Sequence, residues 1–267
     1  RTISTFGGPN DISLEAASDG DGIPDACKAP GKTFAGLPLY EWGARPGKKD
    51  IFIHIDYMGG TNPAHRPEKK TFDNIVTIFA AHGIAIHFDV GDLFSPTKGD
   101  AVNYNLDGRS HEVTYSQMTD IPTVANHSIA PGVANFHERK ASNMPLAKKG
   151  IFHYGLFADE HPSKGSGAAE LLGNDFLITL GNFGLSNTDV PSTNQLINSQ
   201  AATLMHELGH NLGLNHGGND DIHRKPNYLS VMNYLYQLTG LPEVSNPGDR
   251  YYFWRVNYVN SLNTLFK

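Results

Sequence analysis

The pattern of apolar and polar positions is sharpest from residue 50 onward. Ile51-Phe52-Ile53-His54-Ile55-Asp56-Tyr57 alternates apolar and polar side chains, the two-residue period of a strand. Across residues 67–82, Phe72, Ile75, Val76, Ile78 and Phe79 fall at helical spacing, and Gly83 can end that helix. Ile84-Ala85-Ile86-His87-Phe88-Asp89-Val90 alternates as a second strand. Strand, helix and strand in this order predict a right-handed crossover with parallel neighbours. His54 and His87 share strand faces with polar neighbours, which fits satisfied structural histidines better than ligands. Residues 150–159 predict a third strand, and Phe176-Leu177-Ile178-Thr179-Leu180 a further one. Ser192, with Gln195 three residues on, has the capping-box pattern at the start of a long helix burying Leu196, Ile197, Ala201, Leu204, Met205 and Leu208. Residues 251–266 alternate aromatic and aliphatic positions suited to a closing helix.

Two stretches lack such a period. Residues 1–50 are rich in Gly, Pro, Asp and Ser and are expected to wrap the fold irregularly. Residues 91–149 carry His111, His127 and His137 but no motif; stretches of this length usually shape a functional rim or move. The expected organisation is one domain in three parts: the wrapping segment 1–50, an upper subdomain 51–213 ending with the long helix, and a lower subdomain 214–267.

Composition narrows the classes. A chain of 267 residues with 39% hydrophobic content can bury a core. A net charge of −6 with mixed signs argues against a nucleic-acid partner. No apolar run approaches the roughly 20 residues that a membrane span needs. Cys27 is the single cysteine, so no intrachain disulfide forms. Arg1-Thr2-Ile3-Ser4 lacks the apolar segment of an export signal, as would a chain whose leader and pro-segment had been removed.

The chemistry concentrates between residues 206 and 216, which read His-Glu-Leu-Gly-His-Asn-Leu-Gly-Leu-Asn-His. On a helix, His206 and His210 stack one turn apart on one face and can hold one metal ion through ring nitrogens. Glu207 then lies beside the ion rather than on it, placed to take a proton from its water. Gly213 lets the backbone turn sharply out of the helix and swing His216 back as a third ligand. Three neutral nitrogen donors leave one position open, the coordination of a catalytic zinc site.

This H-E-x-x-H-x-x-G-x-x-H pattern resembles the zinc-binding consensus of the metzincin metalloendopeptidases. A second motif agrees: Ser230-Val231-Met232-Asn233-Tyr234 is similar to the methionine turn beneath the metal in that clan. The resemblance implies that Met232 floors the imidazoles. It implies also that Tyr234, as in astacins and serralysins, approaches the metal and bonds the reaction intermediate. Gly217 follows the third histidine, where astacins carry glutamate, adamalysins aspartate, matrixins serine and serralysins proline, so the likeness reaches the clan and no single family. The implied fold is α+β. Its N-terminal lobe has a twisted, mostly parallel sheet, one antiparallel edge strand and two long helices; a smaller irregular lobe with a terminal helix follows. By order, residues 167–172 take the place of the edge strand that pairs with substrate, and Gly167, Ala168 and Ala169 would let a substrate backbone come close. The implied activity is hydrolysis of extended protein or peptide substrates by a secreted, monomeric zinc enzyme with Glu207 as general base.

Two further features carry candidate roles. Ser18-Asp19-Gly20-Asp21-Gly22-Ile23-Pro24-Asp25 resembles the calcium loops of EF-hands and thrombospondin type 3 repeats, although Ala17 stands where that frame wants an acid. Asp19, Asp21 and Asp25 are the candidate Ca²⁺ ligands. Cys27 follows at once, and in some metzincin zymogens a cysteine thiolate closes the zinc site, a role open to Cys27 on the same resemblance. Two other classes remain open: an adhesin-like surface module that keeps the metal for structure, and a zinc hydrolase of a non-protein amide or ester. Glu207 speaks against the first, since a structural site has no use for a base.

Overall fold

The computed structural model describes residues 17–122 and 128–240. The helix expected over 251–266, His127 and the start of the wrapping segment lie outside the described residues. In chain order the elements are strand β1 (Lys49–Met58), helix α1 (Lys69–Ala80) and strand β2 (Ile84–Asp89), then the two-residue strands β3 (Glu112–Val113), β4 (Thr119–Asp120) and β5 (Ala134–Asn135). Helix α2 (Phe136–Asn143), strands β6 (Phe152–Ala158), β7 (Gly167–Ala169) and β8 (Asp175–Thr179), and the long helix α3 (Val190–Asn211) complete the set. The main sheet is ordered β2-β1-β6-β8-β7, with β3 beside the end of β1. All its pairings are parallel except β7 with β8, so this is a mixed α/β fold with three helices among the described residues. None of those helices is long and apolar enough to cross a membrane.

Strand β1 is covered on both faces, which is why its apolar residues run on with only His54 and Asp56 interrupting them. Ile51, Ile53 and Ile55 face one core with Phe72, Ile75 and Phe79 of α1 and Leu196, Leu204 and Leu208 of α3. Gln200 of α3 fastens the two helices: its Oε1 accepts from the Glu68 amide and the Thr71 hydroxyl, each at 2.9 Å, and its Nε2 donates to the Arg66 carbonyl. On the far face, Phe52, Phe152 and Leu156 meet Ile23, Leu39 and Trp42 of the wrapping segment, and Leu106, Phe136 and Met144 of the long stretch. That stretch therefore builds the second core as well as any rim. A buried polar cluster secures it. Lys148 Nζ donates to Asp107 (2.7 Å) and to Asp89, while the Tyr154 hydroxyl donates to Asp56 (2.7 Å), which also bonds the His54 ring. Buried charges persist only when paired in this way.

Candidate metal centre

Helix α3 starts earlier than Ser192. Asp189 is the N-cap, its carboxylate accepting from the Ser192 amide at 2.8 Å, and the Ser192 hydroxyl answers the Asp189 backbone as the second half of the box. The expected Ser192–Gln195 pair is thus displaced by one turn. Pro191 accounts for the shift, because proline has no N–H to lose in a first turn and its fixed φ suits the helix start. The 22-residue helix that results carries His206, Glu207 and His210 to its C-terminal end.

Three ring nitrogens converge there. His206 Nδ1 lies 2.9 Å from the Val231 carbonyl, and His210 Nδ1 lies 2.8 Å from the Leu214 carbonyl. A carbonyl only accepts, so both Nδ1 atoms carry the proton and both Nε2 atoms present lone pairs. Those Nε2 atoms face each other at 3.1 Å. His216 completes the group, with one ligand atom from each ring lying within 4.8 Å of the others. Its Nδ1 is taken by Asp221 Oδ1 at 2.7 Å. Burial and the neighbouring rings hold His206 down at about 3 and His210 at about 4, so both are neutral at ordinary pH. Lone pairs opposed at such a distance repel unless a cation lies between them. The residues therefore fit a metal ion held by three imidazoles.

The surroundings support that cup from below and beside. Gly213 has φ +93°, and it carries the chain out of the helix so that His216 returns. Met232 is fully buried, its sulfur laid directly against Gly209 of α3, and the Ser230 hydroxyl accepts from its amide at 3.1 Å. Asn233 Nδ2 donates to the Tyr228 carbonyl at 2.9 Å, locking the turn whose Val231 carbonyl orients His206. Tyr234 stacks on His206 (5.6 Å between centroids, 14° between planes) and lies 4.3 Å from His216. Glu207 is buried against Gly167 of β7, and burial raises its carboxyl well above the usual carboxylate range. A cation nearby acts in the opposite direction. The cleft they share encloses about 590 Å³ and is lined by Gly167, Ala168, Ala169, Glu207, Tyr234 and the three imidazoles.

Compared with known proteins, this chain matches no family model and no curated sequence.

Two of the other clusters of metal-type ligands are filled by lysine, while the remaining one, His216 with Asp221 and His223, shares an imidazole with the cleft. Lys148 sits among His54, Asp89 and Asp107, and Lys140 bonds Asp175 beside His137 and Glu170. No lysine or arginine lines the imidazole cleft among the described residues. His54 and His87 are satisfied by Asp56 (3.0 Å) and Asp50 (2.6 Å), as their positions on the strands predicted.

The expected calcium set does not assemble. Asp19 and Asp21 converge, with Asp50 of β1, on Lys28 Nζ at 2.9, 2.5 and 2.9 Å. Asp25 turns away to accept from the Ser18 and Gly47 amides. A lysine ammonium thus occupies the place of the ion. Cys27 is buried in the same turn, anchored through Lys28 to β1, and does not line the cleft. Burial pushes its thiol up, away from the thiolate that a zinc-blocking switch requires.

Sequence reasoning missed three residues at the site. Asn211 Nδ2 donates to the Glu170 and Asp175 carbonyls, each at 2.9 Å, stitching the end of α3 to the β7–β8 hairpin. Asp221 holds His216. Gln237 donates to the Ser166 hydroxyl at 3.0 Å, tying the segment after the methionine turn to the residue before β7. Asn211 stood inside the motif, and its amide beside the last ligand of the helix was the one available signal.

Proposed function

We propose that this chain is a zinc-dependent endopeptidase of the metzincin kind. The observation that carries the reading is the convergence of the His206, His210 and His216 ligand nitrogens with the buried Glu207 carboxyl beside the same cleft. When bound, zinc supplies Lewis acidity toward the scissile carbonyl and makes a coordinated water acidic enough to be deprotonated near pH 7. Glu207, fixed on a rigid helix, takes the water proton and passes it to the leaving amine. The Tyr234 phenol, packed against both the His206 and His216 rings, donates a hydrogen bond to the oxygen on which charge develops. Strand β7 ends the sheet order and lines the cleft, so an extended peptide can pair antiparallel with it, independently of side-chain sequence. Extracellular action on protein substrates as a monomer belongs to the same reading.

The test joins elemental analysis with mass-spectrometric mapping of cleavage sites in a protein mixture. We expect one zinc per chain, cleavage that a chelator abolishes and zinc restores, and a Glu207→Gln variant that keeps zinc without turnover. Turnover by that variant near the parent level refutes the assigned base. Cleavage of a small amide or ester with no peptide products points to a different hydrolase.

A further inference from the structure

The loop after His216 folds back onto it. Asn215 and Gly218 exchange backbone bonds at 2.8 and 2.9 Å, and the Gly217 amide donates to the Asp220 carbonyl at 2.9 Å. Asp220 caps the Ile222 amide at 3.0 Å and pairs with Lys225. A Cβ at 217 would collide with the Asp220 carboxylate and its carbonyl, so the turn demands glycine immediately after the third histidine. Its product is a carboxylate, Asp221, 2.7 Å from His216 Nδ1. His206 and His210 stand on a buried helix and give their Nδ1 protons to backbone carbonyls. His216 stands beyond that helix, with Asp221 as the acceptor and Tyr234 and His223 against its ring at 4.3 and 4.5 Å.

We infer that Asp221 is a positioning residue for His216. It fixes the Nδ1–H tautomer and the ring plane so that Nε2 joins the other two nitrogens. As a charged acceptor it also makes that nitrogen a better donor to a metal than a carbonyl partner does. The inference rests on the reading of the three imidazoles as a metal site.

Zinc affinity tests it, measured by equilibrium competition with a chromogenic chelator on the full chain and its Asp221→Ala, Asp221→Asn and Asp221→Glu variants. Asp221 is 68% exposed at its side chain, so the metal-free variants should melt with the parent. We expect affinity to fall about 10- to 100-fold in D221A, the range for loss of such partners, less in D221N, and to recover toward the parent in D221E. The visible spectrum of the cobalt-substituted protein should change in D221A and return in D221E. A D221A affinity within twofold of the parent overturns the inference. Equal losses in D221A and D221E overturn it too, since the carboxylate would then not be the active feature. A parent chain that takes up no zinc overturns the metal reading itself, which is a separate result.

Discussion

The Glu207 carboxylate lies where a side chain on Gly167 would have to begin: a Cβ there would meet Glu207 Oε1 at 2.5 Å and the Leu177 carbonyl at the same distance. The base of the proposed reaction and the strand proposed to hold substrate are thus in van der Waals contact, and only glycine permits it. Gly167→Ala should leave zinc stoichiometry intact while lowering kcat/KM by about 100-fold, the cost of displacing a reacting group by about an ångström. Steady-state kinetics on a cleaved peptide, with metal content measured in parallel, decide the point. Parent-like turnover in this variant would show that contact between strand and carboxylate has no bearing on the reaction.

A second glycine reverses a general rule. Glycine to alanine inside a helix ordinarily stabilises by about 1 kcal/mol. At Gly209 the added methyl would strike the Met232 sulfur. We expect Gly209→Ala to destabilise by about 1–3 kcal/mol, as overpacked cores do, and to lower Tm by roughly 2–4 °C for each of those kcal/mol. Introduced beside Met232→Ala, the same substitution should lose most of its effect, because neighbours that share a contact are not additive. A stabilising G209A in the parent background contradicts the packing of the methionine turn under the helix.

How much of this was legible depended on how locally each feature is determined. The spacing of His206, His210 and Gly213 is a property of one helix and its exit, so the sequence alone located the cup. The strands β1, β2, β6 and β8 declared themselves by their apolar runs. Helix α2 did not, because Phe136 is its only buried residue and one apolar position makes no period. The roles of Asn211 and Asp221 depend on partners brought by the fold: the carbonyls of Glu170 and Asp175, and a ring five residues back. At the start of α3 both Asp189 and Ser192 suit a cap, and Pro191 was the local evidence that favoured the earlier one.

Titration should separate the buried groups in the metal-free protein. Burial holds His206 at about 3, His210 at about 4 and His54 at about 4, all below the unfolded value of about 6.5. The unfolded chain therefore binds protons that the folded chain refuses. The contribution of these histidines to stability should be full above pH 6.5 and fall as the pH drops toward 4. Glu207 acts with the opposite sign. Its folded pKa is raised, so the unfolded chain gives up the proton from about 4.5 upward while the folded chain keeps it, and stability is lost as the pH rises. In chelator, Glu207→Gln should melt several degrees above the parent at pH 8 and converge with it near pH 4.5, by thermal melts across that range. Parallel curves for the two proteins would mean that burial does not disfavour the Glu207 carboxylate.

Lys28 gives the calcium question a direct answer. Its ammonium and the Asp19, Asp21 and Asp50 carboxylates are all at most 5% exposed at their side chains. Burial opposes its charge, yet its hydrogen bonds to the Asp21, Asp50 and Asp19 carboxylates outweigh that and hold the amine above the ordinary lysine range. Added calcium should leave the parent Tm unchanged, since the focus of the carboxylates is taken. Lys28→Met removes the ammonium bonded to all three carboxylates. Leaving buried charge unpaired costs about 3–5 kcal/mol, or roughly 6–20 °C in Tm at this chain length. Millimolar calcium should then restore part of the loss in K28M alone, because two hard oxygen donors from the loop and one from β1 would surround an open position. A parent protein that calcium stabilises would instead mean that the ion displaces the lysine, and would return Asp19 and Asp21 to the ligand role their spacing suggests.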